Sequence, residues 1–414
     1  MRRAPRGSGW PVPADFAAPP TAVDLANWTA ADRAARPDRL ARLRARFEGA
    51  GIDAYFGVRP EHMRYLTGFS LAEGEEKAAG NSGQFLVGAT EVALLADSRY
   101  TIQARREAPD ARLVETQRDL PTHWPELVAS VGARRVAVEA GFVPHAVWER
   151  LAASAPDVEL VPVEGWLEAD RAIKEPAEIE RIAAACAVGD RALAALLPEI
   201  RPGITEVDLA MRLEWLMRTR GAEALAFDVA CLAGPQAALP HGAPGDRPVI
   251  EGSVLLFDFG AQVAGYRSDM TRTLFVGEPE PRDLAVHEVV ARAQAAAIAT
   301  LEEAVTGPDP RPPLPSGRAI DGVAREVIVA AGYGPRFGHG TGHGIGLATH
   351  EAPSLGRFAP DVPLPSPTVF SVEPGIYLED EIGVRIEDLI VFDAAAGRVE
   401  RLTRFPREVL VVGG

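Results

Sequence analysis

Apolar residues recur at two periods along this chain, and the switches between them outline its elements. Leu40, Leu43 and Phe47 share a helical stripe opened by Pro37-Asp38 and closed by Gly51, which predicts a helix over 37–51. A strand at 54–58 and a short helix at 62–66 follow. The apolar runs 85–87 and 92–96, split by Gly88-Ala89-Thr90-Glu91, read as a hairpin. A helix near 100–107, a strand at 135–139, a helix at 144–153 and a strand at 158–163 complete a region in which strands alternate with helices. That alternation predicts an α/β domain over residues 37–168. Residues 1–36 are rich in Pro, Ala and Gly, with Trp10 and Trp28 as isolated anchors, and read as an N-terminal arm.

Residues 165–172 read as a linker into a second region, 169–414. Glu175-Pro176-Ala177-Glu178 opens a long helix carrying Ile179, Ile182, Ala185, Val188 and Leu193, broken by Pro202-Gly203. Thr205 with Asp208 caps the next helix, which runs to about Arg220. Strands are predicted at 227–232, 253–259 and 273–276. Two more helices follow, at about 281–304 and 316–331, then strands at 370–373, 384–392 and 409–412. The order helix, helix, strands occurs twice, which suggests an internal duplication within an α/β (α+β) fold.

Composition narrows the function. The 414 residues carry a net charge of −15, which disfavours nucleic acid and acidic membrane surfaces as partners. Cys186 and Cys231 lie in apolar runs outside any CxxC pattern, as buried thiols of a reducing compartment do. Arg2, Arg3 and Arg6 are followed by prolines and polar residues, not by the apolar core of a secretion signal. No stretch approaches the ~20 apolar residues of a membrane span. A cytoplasmic protein is expected.

The candidate chemistry centres on residues 338–351, where His339, His343 and His350 are interleaved with five glycines. Two further segments carry paired acids in otherwise apolar strands. With Val263-Ala264 as the turn, Asp258 faces Asp269; with a turn at Asp380, Glu373 faces Glu387 and Arg385 shares their face. Like charges opposed in a sheet are destabilising, and buried unpaired carboxylates more so. Two such pairs beside a histidine loop therefore call for cations, and two divalent ions would neutralise four carboxylates. Arginine pairing through Arg267, Arg272 and Arg385 is the competing account. The oxygen-dominated donor set suits Mn, Co or Fe as well as Zn, and a two-metal site of this kind implies hydrolysis. No HExxH, GxSxG, GxGxxG or P-loop pattern competes.

These residues resemble the dinuclear metallopeptidases of the pita-bread fold, which include methionine aminopeptidase, prolidase and aminopeptidase P. The similarity rests on the Asp258 to Asp269 interval, His343 seven residues before His350-Glu351, Glu373 in Glu-Pro-Gly, and Glu387 in Arg-Ile-Glu-Asp. It covers about residues 170–414; the preceding half resembles, more weakly, the creatinase-like domain of the proline-specific branch. The resemblance implies that Asp258, Asp269, His343, Glu373 and Glu387 bind two divalent ions, with Asp269 and Glu387 bridging them. Manganese is the expected metal, with Co, Zn or Fe as alternatives, and a hydroxide bridging the pair is the expected nucleophile. Glu373 would be the general acid/base, His350 the contact to the scissile carbonyl, and His241 a proton carrier to the leaving nitrogen. Arg385 would order the bridging glutamate, and His339 would lie at the substrate pocket. The expected function is a metalloprotease, an Xaa-Pro aminopeptidase acting on peptides with proline second, in a homodimer or larger homo-oligomer. Xaa-Pro dipeptidase (prolidase) is the alternative, and a creatinase-like or lyase-like enzyme of small molecules the more distant one.

Overall fold

The computed structural model describes residues 2–3, 16–71, 82–116, 119–307 and 312–413; Trp10 of the arm and Lys77 lie outside them. The chain divides into two compact units, Ala26–Asp170 and Met1–Leu25 with Arg171–Gly414.

The first unit holds a six-stranded sheet. Its central strand, Ala54–Gly57, pairs parallel with Arg135–Glu139 and antiparallel with Gln84–Val87, which forms the expected hairpin with Val92–Ala96. Phe56, Leu86, Trp124 and Val138 pack in its core. Four elements differ from the sequence reading, the first being an unforeseen strand, Arg112–Glu115, paired parallel with Val92–Ala96. The first helix spans Ala22–Ala50, so residues 22–36 of the predicted arm are helical. Thr21 and Asp24 cap it reciprocally, at 2.7 and 3.2 Å, and Pro37 sits inside the helix rather than at its start. Leu120–Ser130 is a helix despite Pro121 and Pro125, two residues that disguise helical periodicity. The predicted linker contains the helix Trp166–Ala172.

The second unit repeats one plan. Helices Pro176–Leu196 and Glu206–Thr219 precede one set of strands; helices Pro281–Thr306 and Gly317–Ala330 precede the next. The capping signals act as read: Glu175 and Glu178 form a reciprocal box, and Thr205 Oγ1 accepts from the Asp208 amide at 3.2 Å. Helix Pro281–Thr306 is long and apolar enough, by length and composition, to match a membrane span, contrary to the sequence reading. Its Val286, Val290, Ala293, Ala297 and Leu301 are buried in the core of the unit, which accounts for that composition.

Each set of strands contains one long hairpin whose ladder breaks partway. In the first, Val254–Phe259 pairs with Met270–Val276, and the ladder resumes as Ala261–Val263 with Tyr266–Arg267. In the second, Thr368–Val372 pairs with Asp388–Asp393, and it resumes as Gly375–Leu378 with Ile382–Arg385. Asp269, Glu373 and Glu387 all lie at these breaks.

The first hairpin turns at Ala264-Gly265, one residue later than expected. Both take positive φ, 47° and 81°, the backbone of a tight two-residue hairpin turn. Asp258 therefore pairs with Thr271 and is diagonal to Asp269. A one-residue move of the turn shifts the pairing by two, so both acids keep their common face. Alanine is a poor occupant of that region, at a cost of roughly 1–2 kcal/mol, and asparagine a better one. Ala264→Asn is expected to raise the unfolding free energy by up to about 1 kcal/mol, read as an upward shift in thermal midpoint.

Candidate metal centre

The second hairpin keeps the register read from the sequence. Val372 pairs with Asp388 and Gly375 with Arg385, which sets Glu373 across from Glu387 at the break between them. The other donor comes from the glycine-histidine stretch. Gly342–Gly344 is a strand lying between Glu351–Leu355 and Thr368–Val372. Its glycines have ordinary negative φ; what they provide is closeness. A Cβ on Gly342 would sit on the Ser371 carbonyl oxygen, and one on Gly344 on that of Ala352. Only a bare backbone lets the strand settle between its neighbours and carry His343 to the acids.

All the predicted site residues meet at one cavity of about 430 Å³. Asp258, Asp269, His343, Glu373 and Glu387 line it, as do His241, His339, His350 and Arg385. His343 Nε2 lies 3.7 Å from Asp269 Oδ2 and 3.3 Å from Glu373 Oε1. One ligating atom from each of Asp269, His343 and Glu387 falls within 4.8 Å of the others. The His343 and His350 rings are 4.2 Å apart.

Electrostatics show what the cluster lacks. Burial, then the charges of Glu387 and Asp258, push the Asp269 carboxyl well above its ordinary value. Burial and the neighbouring Glu373 and Asp258 do the same to Glu387, and burial with Asp258 raises Glu373. Burial lowers His343, favouring the neutral imidazole. Its Nδ1 is 3.0 Å from the Gly344 carbonyl, an acceptor only, so Nδ1 carries the proton and Nε2 presents its lone pair to the acids. Asp258 Oδ1, Asp269 Oδ1 and Glu387 Oε1 are buried with no hydrogen-bond partner. Orphaned carboxylate oxygens facing an unprotonated imidazole nitrogen are what divalent cations require, so these residues fit a metal pair.

The competing account, in which arginines neutralise the acids, holds for one of the three named. Arg385 donates to Asp258 Oδ2 at 2.6 Å and to the Tyr377 hydroxyl at 2.8 Å. Arg272 pairs instead with Asp388, 2.7 Å away, and Arg267 donates to the Ala226 carbonyl and Thr349. Arg385 reaches Glu387 through Thr271: its Nε donates to Thr271 Oγ1 at 2.8 Å, and that hydroxyl donates to Glu387 Oε2 at 2.6 Å. His339 is held from both sides. Its Nδ1 is 2.7 Å from the Gly340 carbonyl, and its Nε2 is 2.8 Å from the Tyr377 hydroxyl. With both nitrogens engaged, His339 orients Tyr377. Tyr377 thus links His339 to Arg385, and burial raises its hydroxyl to about 12. Thr271 and Ser371, which donates to Glu373 Oε1 at 2.9 Å, escaped the sequence reading because their role depends on partners far along the chain. The remaining histidines, His62, His123, His145 and His287, do not line the cavity.

Comparison with known proteins gives this geometry a context. Residues 180–394 match the model of metallopeptidase family M24, and residues 39–173 match the creatinase/prolidase N-terminal domain. An Xaa-Pro dipeptidase of Pyrococcus furiosus is 30% identical over 90% of this chain and 99% of its own. The structure of an Xaa-Pro dipeptidase from Bacillus anthracis matches with a TM-score of 0.81 and 31% identity, over 91% of this chain and all of that one. An X-Pro aminopeptidase from Thermotoga maritima matches at 0.75 and 34%, over 87% and 98%. With its pita-bread relatives, its paired acidic hairpins and its creatinase-type N-terminal domain, the chain belongs to metallopeptidase family M24.

Proposed function

We propose that this protein is an Xaa-Pro dipeptidase, a two-metal hydrolase that splits dipeptides ending in proline. The observation that carries the hydrolytic reading is the convergence of four acids and His343 on one cavity, three of the acids having buried, unpartnered oxygens. Dipeptides are preferred over longer peptides because the similar proteins named above include Xaa-Pro dipeptidases at nearly full length. That choice reverses the order expected from the sequence, where the aminopeptidase came first. The Thermotoga maritima structure keeps Xaa-Pro aminopeptidase as the second reading.

Asp258, Asp269, His343, Glu373 and Glu387 would hold the two ions, proposed to be manganese. Bound there, they supply Lewis-acid activation of a carbonyl and of water. The chain's own residues do the rest. Glu373, whose carboxyl burial raises, takes the proton of the attacking water and returns it to the leaving nitrogen. Ser371 fixes one of its oxygens, leaving the other for that transfer. His350 is kept neutral by burial and by the nearby His343, and donates a hydrogen bond to the carbonyl oxygen as charge develops on it. His241, on the same cavity wall, would relay that proton from Glu373 to the prolyl nitrogen. Arg385 locks Asp258 directly and Glu387 through Thr271. The proposed state is a cytoplasmic homo-oligomer, testable by light scattering.

The decisive assay compares Xaa-Pro dipeptides with Xaa-Pro-Xaa tripeptides in the manganese-loaded protein. Cleavage of dipeptides with kcat/KM at least about tenfold higher, a difference of ~1.4 kcal/mol in transition-state binding, is expected. Preferential cleavage of tripeptides would establish the aminopeptidase instead, and cleavage of neither would sink both readings.

A further inference from the structure

Lysine is nearly absent from this chain, with Lys77 and Lys174 the only two among 43 basic residues. Lys174 is 1% exposed and forms a buried triad with Arg171 and Glu351. Its Nζ lies 2.9 Å from Glu351 Oε1 and donates to the Arg171 carbonyl oxygen at 2.6 Å. The Arg171 guanidinium donates to the other Glu351 oxygen. The Lys174 amide donates to the Pro367 carbonyl at 2.8 Å, which fastens this segment to the strand entering the second hairpin. Burial alone would push the Glu351 carboxyl up, but Lys174 and Arg171 hold it below its ordinary value.

Glu351 immediately follows His350. His350 lines the cavity; Glu351 does not, its carboxylate being spent on the two cations. Gly346 closes the remaining side. A Cβ there would collide with the Glu351 carboxylate and lie 3.1 Å from Lys174 Cε. The backbone from Gly346 to Glu351 is thus packed onto the triad. We propose that Lys174 and Arg171 are positioning residues that, through Glu351, hold His350 at the cavity. Neither touches substrate. Lysine is needed at 174 because a compact ammonium fits between one carboxylate oxygen and one carbonyl. Arginine would bring a planar five-donor fork into a space where Arg171 already occupies the other carboxylate oxygen. This inference rests on the proposed role of His350.

The test is a double-mutant cycle in the manganese-loaded enzyme, combining Lys174→Met and, separately, Lys174→Arg with His350→Ala. kcat and KM are measured on an Xaa-Pro dipeptide, with metal content and circular dichroism as controls. Each lysine variant is expected to lower kcat roughly 10- to 100-fold, the effect of displacing a reacting group by about 1 Å. KM should move less than about twofold, with bound metal unchanged. In the His350→Ala background the same substitutions should have little further effect, because the residue they position is gone. Equal loss in both backgrounds overturns the inference while leaving the role of His350 intact. Wild-type kcat in Lys174→Arg also overturns it. Full activity in His350→Ala sinks both. If Lys174→Met fails to fold, Lys174→Arg and Glu351→Gln carry the same cycle.

Discussion

Asp269→Asn is expected to destroy activity and to stabilise the metal-free protein. The buried carboxyl sits in the most crowded part of the cluster, with burial and then Glu387, Asp258 and Glu373 all raising it. In the absence of cations the folded state must either protonate it or tolerate the repulsion, and both cost stability at neutral pH. An amide of the same shape removes the charge without opening a cavity. The chelated variant should therefore melt several degrees above chelated wild type, at roughly 2–4 °C per kcal/mol for a unit of this size. Turnover should fall roughly 10³-fold or more, since the charge that the folded state tolerates is the one that binds metal. Such opposition of stability and function is usual where an active site stores unfavourable charge. Differential scanning calorimetry in chelator and metal analysis after manganese loading check the two halves. A chelated variant less stable than wild type would show that Asp269 is satisfied by the protein itself.

The second large effect is a pH-dependent gap between the loaded and chelated proteins. Asp269, Glu373 and Glu387 have folded-state values above their unfolded ones. The stability they contribute to the metal-free protein is therefore full below about pH 4, the unfolded carboxylate range, and is lost as pH rises through the raised folded values. His339, His343 and His350 are lowered by burial, and His287 is lowered to about 4. Their contribution has the opposite sign: it is present above about pH 6.5 and lost as pH falls toward the folded values. His287 lies off the cavity and cancels in the difference, whereas His339 and His350 face the cluster, where bound cations further disfavour their protonated forms and act in the same direction as the acids. In the loaded protein cations replace the protons of the acids, and binding tightens as those protons and that of His343 leave. The midpoint gap should accordingly widen from pH 5 to pH 8. Each site adds about 2.7 kcal/mol to the unfolding free energy where free metal is near 100 times its Kd. A gap independent of pH would mean that the metal does not displace protons from this cluster.

Much of the site was legible because its signals are local. Glu373 and Glu387 were paired across the second hairpin from turn position and strand parity alone, and the ladder on either side carries that register. The first hairpin was read one residue off, since Ala264 gives no sign of the positive φ it adopts; parity kept both acids on one face regardless. The helix at Ala22–Ala50 was half missed because Pro37 resembles a helix start, and its true cap, Thr21 with Asp24, lies in a proline-rich surrounding. Lys174 carries no local signal at all, because its partner lies 177 residues on, at Glu351.

The sequence alone determined the donor types, their spacing, the apolar strands that bury them and the glycines between the histidines. Those features follow from periodicity, turn chemistry and the cost of burying charge, all of which act over a few residues. Tertiary structure alone decided which arginine serves the cluster, how Thr271 couples Arg385 to Glu387, why both nitrogens of His339 are occupied, and what stands behind His350. Each of these is a contact between segments distant along the chain. Its energy depends on where two hairpins, a helix start and a glycine strand meet in space, and no local pattern encodes that.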